Sequence, residues 1–87
     1  MQRLSPRAAY RGLIKLYRDQ RPDLTEYQVK QLAYAMSYES SEQLGGSREY
    51  HVACRTCGEN KVFRAADSVR LFLGRHAGHR TWLDVLR

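Results

Sequence analysis

The chain has 87 residues, 43% of them hydrophobic, with 15 basic against 9 acidic side chains and a net charge of +6. That is the length of one domain and too apolar for a disordered chain, and no run of about 20 apolar residues is present to span a membrane. A core this small is marginal, and a metal staple would reinforce it.

The N-terminal Met-Gln-Arg-Leu-Ser-Pro has charge but no apolar run behind it, unlike a secretory signal. The expected location is cytoplasmic, or nuclear in a eukaryote, with no membrane partner. Ser5 and Pro6 open a helix as N-cap and first helical residue. Its apolar face is Tyr10, Leu13, Ile14 and Tyr17, and it should run to about Asp19, before Pro22. Thr25 and Gln28 form a capping box for a second helix, with Leu24 and Val29 as hydrophobic staple. Val29, Leu32, Ala33 and Met36 are its apolar stripe, and it should end by about Gln43, before Gly45-Gly46. Tyr27, Tyr34 and Tyr38 line up on the opposite side. They serve either as a second packing face or as a strip that stacks on bases or docks a protein partner. Gly45-Gly46-Ser47 reads as a short linker.

The second half is the more cationic, with eight basic and four acidic residues over 47–87 against seven and five over 1–46. Tyr50, Val52 and Cys54 alternate with His51 and Ala53 as a strand does. Cys54-Arg55-Thr56-Cys57-Gly58 reads as a knuckle that turns two thiolates onto one ion. Glu59-Asn60 is expected at the turn, and Lys61 to Arg64 as the returning strand. A helix from about Ala66 to Ala77 puts Val69, Phe72, Leu73 and His76 on one face, and Gly78 lets His79 swing back to the same ion. The two cysteines are too close in sequence for a useful disulfide, so they point to metal or redox chemistry. A redox pair needs the motif to open a helix, and Gly58-Glu59-Asn60 reads as a turn. His51 is an alternative ligand in place of one histidine.

In its order of strand, knuckle, strand and histidine-bearing helix, this half resembles the Cys2His2 zinc-finger class over residues 50–80. The interval of eighteen residues between the ligand pairs and the His-x2-His gap differ from the usual roughly twelve and three to five residues. The resemblance therefore carries ligand roles to Cys54, Cys57, His76 and His79, but no base-contacting roles to the helix. It implies one structural zinc ion. Four protein ligands leave no open position for water, and no catalytic motif is present, so no enzyme and no small-molecule substrate are expected.

The expected architecture is α+β, an N-terminal antiparallel helical hairpin (1–46) packed on a small ββα-like zinc-binding module (47–87), in one compact domain. Arg55, Lys61, Arg64, Arg70, Arg75 and Arg80 surround the ligands. They suit phosphate oxygens, and so DNA or RNA, or else form a solvated cationic face. Leu71, facing outward beside Gly74, joins Tyr27, Tyr34 and Tyr38 as the candidate surface for a protein partner. Trp82, Leu83, Val85 and Leu86 form an apolar tail expected to pack on the helical hairpin. The function expected is nucleic-acid binding, as in transcription regulation, with a protein-docking adaptor as the alternative.

Overall fold

The computed structural model describes residues 6–41 and 48–86. The Ser5 cap, the end of the second helix at Gln43 and the Gly45-Gly46-Ser47 linker fall outside them. Two helices come first, α1 (Pro6–Gln20) and α2 (Glu26–Ser41). Chain reversal between them follows the local chemistry. The Arg21 N–H still donates to the Tyr17 carbonyl, and Pro22 then stops the helix. Thr25 restarts it, because the Gln28 N–H donates to Thr25 Oγ1 and the Thr25 N–H donates to Gln28 Oε1, both at 3.1 Å. Two of the donors a helix leaves orphaned at its start are thereby satisfied. Leu24 and Val29, on either side of the cap, are both buried in the core.

Strands β1 (Glu49–Cys54) and β2 (Glu59–Phe63), helix α3 (Ala66–Arg75) and strand β3 (Thr81–Leu86) complete the fold. The result is α+β, three helices with a three-stranded antiparallel sheet in the order β2-β1-β3. Helices α2 and α3 pack on one face of the sheet. Tyr50, Val52 and Cys54 of β1 meet Val69, Phe72 and Leu73 of α3 and Leu32 of α2 there, all buried. Burying one such Leu fully is worth about 1.5–3 kcal/mol. Helix α1 packs on α2 with Ile14 and Tyr17 half-buried against that core.

Helix α2 is the central element. Gln28, Gln31, Ala35 and Ser37 are buried along with Val29, Leu32 and Ala33, so its apolar stripe is only part of what it hides.

Three expectations are corrected. The apolar tail meets the helical hairpin along α2, but as a sheet strand rather than as a loose tail. It is β3, paired with β1 from Glu49↔Leu86 to Cys54↔Thr81. Leu83 and Val85 do pack against the core, but Trp82 and Leu86 point outward and remain exposed. With apolar residues on both faces, the sequence lacked the alternation that marks a half-buried strand. Glu59 and Asn60 are not turn residues but open β2, opposite Cys54 and Ala53. Helix α3 stops at Arg75, with His76 as its C-cap (φ −113°) and Gly78 left-handed at φ 84°.

Candidate metal centre

Four donors converge where the knuckle faces the end of α3. One ligand atom from each of Cys54, Cys57, His76 and His79 lies within 4.8 Å of every other. This Cys2His2 arrangement sits in a ββα-like region, and its donors are close enough to hold one metal ion. His79 Nδ1 is 3.6 Å from Cys54 Sγ and 3.5 Å from Cys57 Sγ, and His76 Nδ1 is 3.5 Å from Cys57 Sγ.

Each donor is aimed by backbone geometry. The knuckle closes with the Gly58 N–H donating to the Cys54 carbonyl at 2.7 Å, and Gly58 takes φ 78°, a conformation that costs a side-chain-bearing residue energy. On the histidine side, the His79 N–H donates to the His76 carbonyl, and left-handed Gly78 turns the chain back between them. Cys54 and His76 are buried, His79 is half-buried and Cys57 is exposed. The Cys57 thiol is pushed above its ordinary pKa, first by hydrogen bonding with Cys54, then by desolvation and by the nearby Cys54 and Glu59 charges. Bringing a cation to such a pair reverses that preference, since a coordinated thiol ionises.

Two residues outside the donor set hold it in place. His76 turns Nδ1 toward the sulfurs and sets its other ring nitrogen, Nε2, 2.9 Å from Glu59 Oε1. This is the carboxylate–histidine pairing that fixes ring orientation in metal sites. Glu59 reaches it because β2 pairing sets it directly across from Cys54. His76 also stacks on Phe72, with ring centroids 4.4 Å apart. The second residue is Gln28, wholly buried on α2. Its Nε2 donates to the His76 carbonyl at 2.7 Å, and its Oε1 accepts the Gly78 N–H at 2.9 Å. One side chain therefore caps α2 and grips the loop that carries both histidines. Glu59→Ala is expected to lower metal affinity about 10- to 100-fold, read by competition with a chelating dye, with Glu59→Gln less affected. Equal affinity in all three proteins would show that the Glu59 contact contributes nothing.

His51, the alternative ligand, stands apart from the four donors. Its Nε2 is 3.4 Å from Glu49 Oε1.

The six candidate phosphate-binding residues are distributed unevenly. Arg55, Arg75 and Arg80 are exposed, each next in sequence to a metal donor, and Lys61 and Arg64 are exposed on and just after the edge strand β2. Arg70 is half-buried and ion-paired with Asp67 at 2.8 Å. Of the candidate docking residues, Tyr27 is 75% and Leu71 51% exposed. Tyr34 meets Tyr10 and Tyr38 edge-on, at centroid distances of 6.3 and 5.2 Å. Tyr10, Tyr27, Tyr34, Lys30 and Leu83 line a cleft of about 460 Å³, with Glu26 and Gln31 at its sides. Gly74, on the same helix as Leu71, lies against Arg21. A Cβ there would stand 3.2 Å from the Arg21 guanidinium, which forms a bidentate pair with Asp23.

No described helix is long and apolar enough to cross a membrane. Comparison with protein-family models, with curated proteins and with solved structures finds no match to this chain. The fold and the donor set alone define its class: a small α+β globule with a Cys2His2 arrangement of candidate metal ligands.

Proposed function

We propose that this chain is a small zinc-finger-like module, stabilised by one structural zinc ion, that binds nucleic acid in a regulatory role such as transcription. Zinc suits the donor chemistry. Bonds of about 2.3 Å to sulfur and 2.0–2.1 Å to nitrogen give sulfur–nitrogen edges of roughly 3.6 Å in a tetrahedron, against 3.5–3.6 Å here. Four protein donors fill that shell, which fits a structural ion and a binding protein rather than an enzyme.

The observation that carries the nucleic-acid reading is the placing of three arginines. Arg55 follows Cys54, Arg75 precedes His76 and Arg80 follows His79. Closing the metal site therefore brings the backbones of three exposed arginines near it, and none of the three forms an ion pair with a described residue. Guanidinium forks match phosphate oxygens, and the net charge of +6 favours an anionic partner.

The test is fluorescence anisotropy of labelled duplex DNA and single-stranded RNA against the zinc-loaded protein across a salt series. Binding is expected at physiological salt. On duplex DNA the log–log slope should be about −3 or steeper if each of the three arginines neutralises one phosphate. Arg75→Glu combined with Arg80→Glu should weaken binding at least tenfold at low salt, with metal content and circular dichroism unchanged. Full affinity in that double variant would remove the arginine cluster from the interface.

A second reading, a protein-docking adaptor, is favoured by one observation: the cleft beside Tyr27 and Tyr34, whose aromatic rings stand partly in solvent. Absence of nucleic-acid binding at low salt would move that reading to first place. Tyr27, Tyr34, Tyr38 and Leu71 would then be the positions to substitute.

A further inference from the structure

Among the described residues, only one face of the sheet is covered. Strand alternation sends Tyr50, Val52 and Cys54 of β1, with Phe63, Leu83 and Val85, toward α2 and α3. The same alternation turns His51 and Ala53, Asn60 and Val62, and Trp82 and Leu86 the other way. On that outer face Val62, Trp82 and Leu86 are 55%, 42% and 44% exposed. Folding thus leaves an indole on an open sheet.

Charge divides along this face. At its far end stand Glu49 and Asp84, with His51 drawn to Glu49. At the knuckle end Arg55 and Arg80 face each other, joined by the Arg55 N–H donating to the Arg80 carbonyl at 2.7 Å. Arg55 lines one groove with Ala53 and Trp82, and Arg80 stands just before β3, two residues from Trp82. A groove of about 400 Å³ opens at this end, lined by Ala53, Cys54, Arg55, Gly58, Asn60 and Trp82. Glu59 also borders it, and its carboxylate is turned to His76.

We propose that the knuckle end of the open sheet face binds single-stranded nucleic acid, with one base stacked on Trp82 and the flanking phosphates held by Arg55 and Arg80. This rests on the nucleic-acid reading above and names its surface. An aromatic ring on a cationic groove is the pairing that single strands exploit, because an unpaired base offers its π-face while a duplex hides it. Asn60 presents an amide with both donors and an acceptor, suited to a base edge. The acidic far end repels phosphate, so the strand crosses the sheet at the knuckle rather than running its length. Arg55 lies between the two metal-binding cysteines, so loss of the ion releases one of the two phosphate contacts.

Trp82 is the chain's single tryptophan, so its fluorescence reports on the contact directly. The experiment titrates the full zinc-loaded chain with a short oligothymidylate, following Trp82 emission and the anisotropy of the labelled strand, with a duplex of equal length alongside. Quenching is expected, with the single strand bound more tightly than the duplex. Trp82→Ala should weaken single-strand binding about tenfold, and Trp82→Phe should largely keep it. Circular dichroism and zinc content establish that both variants are folded. Unchanged single-strand affinity in folded Trp82→Ala, or duplex binding without quenching, overturns this surface while the nucleic-acid reading stands. No retention of either probe at low salt overturns both. A dimer that Leu86→Asp dissolves would give the face to a second copy of the chain and overturn the proposal.

Discussion

Cys57→Ser, or removal of the ion by a chelator, is expected to unfold residues 48–86 and to carry the helical hairpin with them. Structural zinc contributes an apparent 10–16 kcal/mol or so in zinc-finger peptides at neutral pH. A chain of this length has a total stability of roughly 4–13 kcal/mol, so the ion's contribution is comparable to the whole. The damage should not stop at the knuckle. Cys54 is itself a core residue, packed with Tyr50, Val52 and the buried face of α3. Releasing His76 also frees the loop that Gln28 holds, and α2 then loses its partner across the core. The measurement is far-ultraviolet circular dichroism together with Trp82 emission, with and without metal. A native spectrum in metal-free protein would show that the site is not structural.

Gln28→Ala should be among the most damaging single changes outside the donor set. Its amide satisfies the Thr25 N–H, the Gly78 N–H and the His76 carbonyl in a wholly buried position. Each backbone group left unpaired costs about 1–3 kcal/mol, so the three together amount to about 3 kcal/mol or more, at least about 12 °C in Tm for a domain of this size. Thr25→Ala is the control. It removes only the hydroxyl that accepts the Gln28 N–H, at a cost of about 1 kcal/mol. Metal affinity separates the two roles, because Gln28→Ala should lower it and Thr25→Ala should not. Equal Tm losses with unchanged metal affinity would reduce Gln28 to an ordinary helix cap.

The difference between these two residues shows how far the sequence could be read. Thr25 and Gln28 stand three apart, and a capping box is a property of that spacing. Their reciprocal bonds were therefore legible before any fold was known. The bonds from Gln28 to His76 and Gly78 cross 48 and 50 positions, and no local pattern announces them. Gln31, buried beside it and bonded to Thr81 in both directions at 2.7 Å, was equally silent. Glu59 looked like a turn residue because its role depends on β2 standing opposite Cys54. The exposed rings of Tyr27 and Trp82 could not be told from core residues, since a side chain's burial depends on what packs over it.

By itself, then, the sequence determined the four donors, the inward face of α3, the capped start of α2 and the reversal at Pro22. Each, down to the spacing within each donor pair, follows from interactions within a few residues, whereas the meeting of the cysteine and histidine pairs spans 19 to 25 positions. Tertiary structure alone decided that the apolar tail becomes β3, that Glu59 and Gln28 orient the histidine segment, and that no described residue packs over the sheet face bearing Trp82. These depend on pairing between distant segments, where register and packing choose the neighbour and the local pattern does not.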